Sequence, residues 1–237
     1  MKYYRIQNSI DRKEIGHFLQ VQKEDWIGIT NTSEDFSEQG LFGKVEGNPA
    51  LPVPYLYRMT KPTSLLDMTV IPINKYLVVD KAFFEFLKPY LGDFQSWEIK
   101  AKKQLEDYEY HIVHIDYPQN DFVNYEKSIF KLFSHDENYN RIDLNQEVKI
   151  TNDGDSLDKS REYSLKGIGI GYPFLKETKV VFNYSKMTKD LFRCSFVPYA
   201  GYYVSENLKN EIEKQGFTGL VFKELDEIDN FVQVEKV

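Results

Sequence analysis

The sequence predicts an α+β fold, in which a mostly antiparallel sheet is flanked by short helices within a single domain spanning residues 1–237. The chain contains 17 Tyr and 17 Phe but only four Ala. Aromatic and β-branched residues favour strands, whereas Ala is the strongest helix former, so this composition argues against a helical bundle. The length of 237 residues suffices for a substantial hydrophobic core.

Short apolar runs, several with alternating polarity, predict most of the strands. In chain order these predicted strands cover residues 3–6, 26–30, 69–73, 76–79, 97–101, 110–117, 147–150, 179–183, 191–197, 202–204 and 219–222. The strands at 97–101 and 110–117 bracket a polar turn and predict an antiparallel pair. Residues 1–60 contain few periodic runs, and their prolines favour loop or edge structure.

A helix is predicted after the strand at 76–79. Asp80 can accept a hydrogen bond from a free N–H group of the first turn, and Pro89 blocks further helix. Phe83, Phe84 and Leu87 recur at helical spacing and are expected to face the core.

The segment from 202 to 225 predicts a strand, a cap, a short helix, a glycine stop and a second strand. Ser205 can cap the helix, and Gly216 can adopt the left-handed conformation that ends it. Residues 219–222 then predict a buried strand. This β-α-β element contains no nucleophile–base pair, so we expect it to be structural.

Residues 126–133 predict a further short helix, with Ile129, Phe130 and Phe133 facing inward. Residues 134–164 are the most polar part of the chain and predict a polar insertion or long surface loop, crossed by the strand at 147–150. Loops of this length in compact domains tend to be functional or disordered. The final ten residues are polar and are expected to fray.

Charge and cysteine content narrow the class of protein. The net charge of −7, from 37 acidic and 30 basic residues, disfavours nucleic acid as a partner because phosphates require a basic surface. One cysteine permits no internal disulfide and suggests a reducing compartment. The N-terminus lacks the apolar core of a signal peptide, and no segment resembles a membrane span, so a cytoplasmic location is expected.

The histidines do not predict a metal site. Side chains alternate along the strand at 110–117, so His114 and Asp116 share one face while His111 points to the other. A zinc site needs three or four converging ligands, and at most two are local here. We therefore expect a cross-strand polar pair, with no metal and no cofactor.

Two other motifs also favour structure over chemistry. Cys194 lies among alternating neighbours in a strand and predicts a small core residue rather than a reactive thiol. Gly167, Gly169 and Gly171 lack the spacing of a dinucleotide-binding loop, and Pro173 argues against a following helix. They predict a bulged or closely packed strand.

Three blocks of the chain carry a family resemblance: YLVVDKAFFEFLKPYL at 76–91, YHIVHIDYPQNDFVNYEKSIF at 110–130, and the block at 191–225 that contains VSENLKNEIEKQGFTGLVF. In this order they resemble the bacterial immunity proteins of polymorphic toxin systems, a large family long known as a domain of unknown function. The resemblance implies a cytoplasmic, non-enzymatic protein that binds and neutralises a cognate toxin domain.

The polar region supplies the candidate contact residues for such a partner. The residues expected to form an acidic face, with Tyr139 as an anchor, are Asp136, Glu137, Tyr139, Asp153, Asp155 and Asp158. Acidic side chains would steer a basic toxin and raise its association rate. A solvated loop without a partner explains the same residues.

Two other function classes remain open. One is a small-ligand-binding protein or enzyme with an acidic, Tyr-lined pocket, for which His114 and Asp116 would be the first place to look. The other is a structural interaction module without a toxin. The oligomeric state is left open.

Overall fold

The computed structural model describes residues 2–27, 43–47, 49–68, 71, 75–196, 199–229 and 231–237. These residues group into two compact units. The first comprises Met1–Gln119 and Lys189–Ile228, and the second comprises Asn120–Thr188 and Asp229–Val237. That residues 1–237 form a single domain stays a prediction.

The strands follow one another in this order: β1 (Tyr3–Asn8), β2 (Val21–Ile27), β3 (Leu51–Leu56), β4 (Leu77–Asp80), β5 (Phe94–Lys103), β6 (Glu106–Ile115), β7 (Ile129–His135), β8 (Arg141–Val148), β9 (Phe174–Phe182), β10 (Leu191–Cys194), β11 (Gly201–Ser205), β12 (Leu220–Glu224) and β13 (Gln233–Lys236). The helices are α1 (Arg12–Ile15), α2 (Lys81–Leu87), α3 (Asp153–Ser164) and α4 (Glu206–Gln215), with 3₁₀ turns at Lys88–Tyr90, Tyr184–Lys186 and Leu225–Glu227. The predicted α+β class is confirmed. The predicted strand at 69–73 lies largely outside the described residues, as do the ends of those at 26–30 and 191–197.

The first unit contains two sheets with the strand orders β10-β11-β1-β12 and β2-β3-β5-β6-β4. Their ladders are antiparallel apart from a short parallel contact between β3 and β5. Strand β1 pairs with both β11 and β12, so it lies between the two strands of the predicted β-α-β element. The predicted pairing of 97–101 with 110–117 is confirmed as the β5–β6 hairpin.

The prolines of β3 correct the expectation of loop or edge structure. Pro52 and Pro54 lie in a strand that has neighbours on both sides. Successive residues of a strand direct their N–H groups to opposite neighbours, so two prolines that are two residues apart leave donors missing on one side only. The ladder with β2 runs along all of β3, whereas β3 pairs with β5 only at Tyr55 and Lys102. The prolines are therefore compatible with an interior strand that is barely paired on one side.

The core of the first unit lies on both faces of the β4–β6 region. On one face, α2 and α4 cover a cluster that includes Phe83, Phe84 and Leu87. On the other face, Tyr110 and Ile112 belong to a second cluster. The Asp80 carboxylate accepts a hydrogen bond from the Phe83 N–H at 2.7 Å, so the predicted cap and inward face of α2 are confirmed.

The predicted ends of α4 are also confirmed. The Ser205 hydroxyl accepts from the Leu208 N–H at 3.2 Å, and Gly216 ends the helix with a φ of 75°. The prediction of a buried strand after it is wrong. Strand β12 is at most half-buried and its Val221 is 43% exposed, and among the described strands it pairs with β1 alone.

Replacing Ser205 by alanine should lower the free energy of unfolding by about 1–2 kcal/mol. The hydroxyl caps α4 and also donates to the Asp190 carboxylate at 2.5 Å, and Ser205 is fully buried. Urea denaturation followed by tryptophan fluorescence measures the change, since both tryptophans belong to the first unit. Asn207→Ala on the exposed face of α4 is the control, with an expected change below about 0.5 kcal/mol. Equal stabilities for the two variants would contradict this assignment.

The second unit is built on a sheet of order β13-β9-β7-β8, together with α3. Strand β13 runs parallel to β9, and the other ladders are antiparallel. The expectation that the final residues fray is wrong, since β13 pairs with β9 from Gln233 to Lys236.

The helix predicted at 126–133 is wrong, because β7 occupies most of it. The spacing of Ile129, Phe130 and Phe133 suits a helix, but burial of Phe130 and Leu132 also suits a strand. Pairing with β8 on one side and β9 on the other decides between the two patterns.

The loop predicted at 134–164 is also wrong, since this region contains β8 and α3. Strand β8 is exposed on both faces over most of its length, and α3 has no buried residue. Neither element therefore carries the apolar periodicity by which strands and helices are recognised. The local signal for α3 is its cap, where the Asn152 side chain accepts from the Asp155 N–H at 2.9 Å.

Candidate interaction surface

One face of the sheet in the second unit carries a row of aromatic rings. Phe133 and His135 are two residues apart on β7, so their side chains share a face. Phe174 of β9 lies opposite Phe133, and Arg141 of β8 lies opposite His135. With two neighbours from adjoining segments, they form what we call the ring surface, which consists of Phe133, His135, Tyr139, Arg141, Phe174 and Phe231.

Each ring of this surface contacts the next ring in the row. His135 and Phe174 stack with centroids 4.7 Å apart and planes inclined by 21°. Phe133 lies 6.1 Å from Phe174, and Tyr139 lies 6.5 Å from His135. Aromatic pairs at these separations stabilise one another by about 0.5–1.5 kcal/mol beyond their buried area. Contacts within the chain therefore hold the rings of the row in position.

Arg141 joins Phe231 to the row. Its guanidinium carbon lies 5.0 Å from the ring centroid of Phe133 and 5.3 Å from that of Phe231. The Lys176 ammonium lies 5.9 Å from the Phe231 ring and forms an ion pair with Asp229 at 3.4 Å. Cation–π contacts of this kind contribute about 0.5–1 kcal/mol at exposed sites.

Two rings of the surface face solvent. Tyr139 is 70% exposed and Phe231 is 75% exposed. Aromatic and Arg side chains are enriched in the centres of protein interfaces, whereas a monomer gains little by exposing them. The ring surface therefore has the composition of an interface centre.

The β7–β8 turn holds Tyr139 in this position. Its φ of 61° lies in the left-handed region, which is uncommon for residues other than Gly, Asn or Asp. The Asp136 carboxylate accepts from the N–H groups of Asn138 and Asn140, each at 2.8 Å. Hydrogen bonding from the Asn140 side chain holds the pKa of Asp136 below its usual range. Asp136 thus supports the turn that presents Tyr139.

The loop between α3 and β9 carries two exposed apolar residues and contacts the end of β7. Leu165 and Ile168 are each 88% exposed, and the Gly171 N–H donates to the His135 carbonyl at 2.9 Å. This loop corrects the expectation of a bulged strand at its three glycines, since only Ile170 forms an isolated bridge. Gly167 has a φ of 136°, which other residues rarely adopt, and a Cβ atom there would lie 2.2 Å from the Tyr172 ring.

The residues predicted to bind a partner fall into two places. Asp136, Glu137 and Tyr139 lie in the β7–β8 turn beside the ring surface. Asp153, Asp155 and Asp158 lie in α3, which follows the other end of β8, and the eight residues of β8 span about 26 Å. The structure thus brings the first three together and places the start of α3 at the far end of the strand.

Two of the acidic residues in α3 have local hydrogen bonds. Asp153 accepts from the Asn120 amide at 2.7 Å and from the Tyr125 hydroxyl at 3.3 Å. Asp155 accepts from the Thr151 N–H at 2.8 Å. Both carboxylates therefore stabilise the start of α3, and partner binding by them stays a prediction.

A cleft opens at the other end of β7, where its chain diverges from that of β8. It has a volume of about 570 Å³, and its lining includes Tyr125, Glu126, Phe130 and Glu147. This volume lies within the usual range of small-molecule sites, about 300–1,000 Å³.

His114 and Asp116 lie in the core of the first unit. His114 is fully buried, with Nε2 2.9 Å from the Gly43 carbonyl oxygen and Nδ1 3.1 Å from that of Lys75. Burial lowers the pKa of His114 and raises that of Asp116. The expected cross-strand polar pair is wrong for His114, since its ring nitrogens face backbone carbonyls.

Two further expectations for the first unit can be compared with the structure. His111 stacks on Phe84 at 4.2 Å, so it does point away from the His114 face. Cys194 is fully buried in β10, as predicted for a small core residue. Arg193, which immediately precedes Cys194, is also buried and donates a hydrogen bond to the Ile115 carbonyl at 2.9 Å.

Sequence reasoning did not place Arg141, Phe174 and Phe231 on this surface, whereas the expectation that Phe133 faces inward is confirmed, since Phe133 is only 7% exposed. The residues of this surface lie up to 98 positions apart along the chain, counting from 133 to 231. Strand pairing aligns β7 with β8 and β9, and Arg141 then links Phe231 to Phe133. The local signal was the two-residue spacing of Phe133 and His135, which a helix assignment obscured.

Within the described residues, no group of three or more His, Cys, Asp or Glu side chains is placed to hold a metal ion. The helices of the described part of the chain are all too short or too polar to cross a membrane. No protein-family model, curated protein or solved structure matches this chain. The resemblance to immunity proteins therefore stays a prediction.

Proposed function

We propose that this protein is a non-enzymatic immunity protein that binds and neutralises a cognate bacterial toxin domain in the cytoplasm. The ring surface is its contact face. The observation that supports this assignment is the contiguous row of rings that ends in the exposed Tyr139 and Phe231 and includes Arg141. The resemblance of three sequence blocks to immunity proteins supplies the identity of the partner.

The proposed contact has the anatomy of a protein interface. Tyr139 and Phe231 are large, exposed anchors in the same unit. A standard interface buries about 800 Å² on each partner, and a few aromatic or Arg side chains supply most of its affinity. Asp136 and Glu137 at the rim would accelerate association with a toxin whose facing rim is basic.

Co-expression with the toxin domain encoded by the adjacent upstream gene tests this proposal. The wild-type chain should rescue growth and co-purify with the toxin. Tyr139→Asn, which keeps a residue that tolerates the left-handed backbone, and Phe231→Ser should each weaken the complex about tenfold or more. Combined, they should abolish rescue.

Leu105→Ala is the matched control, because Leu105 is 102% exposed at the β5–β6 turn of the first unit and should tolerate the change. Thermal melting confirms that each variant is folded. If the wild-type chain neither rescues growth nor binds the toxin, the immunity function is wrong. If the double variant still rescues, the contact face lies elsewhere.

The cleft at the end of β7 favours a second candidate, a small-ligand-binding protein or enzyme with an acidic, Tyr-lined pocket. Tyr125, Glu126 and Glu147 supply these side chains. Turnover of a small molecule by the purified chain, abolished by Glu147→Gln, would support this function and count against the immunity proposal.

A further inference from the structure

Arg141 has an environment unlike those of the cations around it. Lys131 pairs with Asp143 at 3.1 Å, and Lys176 pairs with Asp229 at 3.4 Å. Among the described residues, no carboxylate forms an ion pair with Arg141, and its side chain makes no hydrogen bond within them. Its guanidinium instead lies over the rings of Phe133 and Phe231.

This environment fixes the guanidinium and leaves its donors available. A cation over a ring interacts with the π face, so the planar fork of N–H groups is not consumed by the contact. Arg141 is exposed, and its backbone is held opposite His135 in the β7–β8 ladder. A side chain held in this way loses less conformational entropy when it binds.

We infer that Arg141 receives a carboxylate side chain of the protein partner at the centre of the ring surface, an inference that rests on the proposed function. A carboxylate accepts two parallel hydrogen bonds from a guanidinium, which is the strongest arrangement open to these donors. The partner docks with an Asp or Glu between apolar groups that cover Phe231 and Tyr139.

The surrounding charges specify a single carboxylate rather than a polyanion. Asp136 and Glu137 occupy the turn next to Tyr139, and they repel an extended run of phosphates. A single carboxylate bound to Arg141 is repelled little by Asp136 and Glu137 when the rest of the partner's rim is basic or neutral. The rings then exclude water from the pair, which strengthens its electrostatic attraction.

The test uses the toxin domain of the adjacent upstream gene and measures its dissociation constant with variants of this chain. Arg141→Gln should raise the dissociation constant about tenfold or more, and Arg141→Lys should recover only part of this, because an ammonium cannot form the two-point contact. Arg161→Gln on the exposed side of α3 is the control and should change the constant by less than about twofold.

A scan of the toxin's acidic residues to Asn or Gln then identifies the partner carboxylate. For one of them, the loss caused by Arg141→Gln should disappear in the double-mutant cycle. Any effect of Arg141→Gln on the folding of the present chain is common to both arms of the cycle and therefore cancels. An Arg141→Gln complex as tight as wild type, or a scan in which no acidic residue couples to Arg141, overturns this inference alone. Absence of any wild-type complex overturns the proposed function as well.

Discussion

Replacing Phe83 by alanine should lower the free energy of unfolding of the first unit by about 3–5 kcal/mol. Phe83 is fully buried in the cluster beneath α2 and stacks on Phe217 at 4.5 Å. The substitution removes this ring contact and leaves a cavity that the paired strands on one side and α4 on the other cannot close easily.

Urea denaturation followed by tryptophan fluorescence measures this loss in the first unit. Phe83→Leu, which keeps most of the volume, should cost less than about 1.5 kcal/mol. Glu85→Ala on the exposed side of α2 should change stability by less than about 0.5 kcal/mol. A loss below about 1 kcal/mol for Phe83→Ala would mean that the cluster is loosely packed.

The second unit of the wild-type chain should lose stability as the pH rises, and Glu177→Gln should abolish this loss. Burial raises the pKa of Glu177 from its ordinary value of 4.5 to about 7, with a smaller raising effect from Asp229 and an opposing one from Lys176. The folded chain therefore binds the proton more tightly than the unfolded chain does. The contribution of Glu177 to stability is therefore fully present below about pH 4.5 and is lost as the pH rises through 7.

The size of this loss follows from the shift in pKa. A pKa change of one corresponds to about 1.4 kcal/mol of stability. Allowing for partial solvent access, we expect the free energy of unfolding to fall by about 2–3 kcal/mol between pH 4.5 and 8. Near-ultraviolet circular dichroism during urea denaturation at pH 5 and pH 8 measures the difference for wild type and Glu177→Gln. Any cost of the amide itself is similar at both pH values, so the difference between them isolates the ionisation.

Glu147→Gln is the control for Glu177→Gln, because Glu147 is exposed on β8. It should leave the pH dependence of wild type unchanged. If Glu177→Gln and wild type lose the same stability between pH 5 and pH 8, Glu177 is not the group that titrates.

Local chemistry was sufficient to predict several elements of the first unit. Asp80 and Ser205 cap α2 and α4 through side-chain oxygens, and Gly216 ends α4 in the left-handed conformation. The β5–β6 hairpin follows from two alternating runs around a polar turn. In each case the residues that determine the structure are within a few positions of one another.

The elements of the second unit were harder to predict, because their partners are distant along the chain. The spacing of Phe130 and Phe133 suits a helix as well as a strand, and pairing of β7 with β8 and β9 decides the matter. Strand β8 and α3 carry almost no buried residues, so no apolar period marks them.

By itself, the sequence determined the α+β class, the capped helices and the hairpin of the first unit, because these depend on composition and on neighbours in the chain. Only the tertiary structure decided where Tyr139 would be presented and what would surround it. Phe133 contacts both Phe174 and Arg141, and Arg141 contacts Phe231, through sheet pairing and ring contacts between residues far apart in sequence. A surface assembled in this way leaves no continuous pattern along the chain from which it could be predicted.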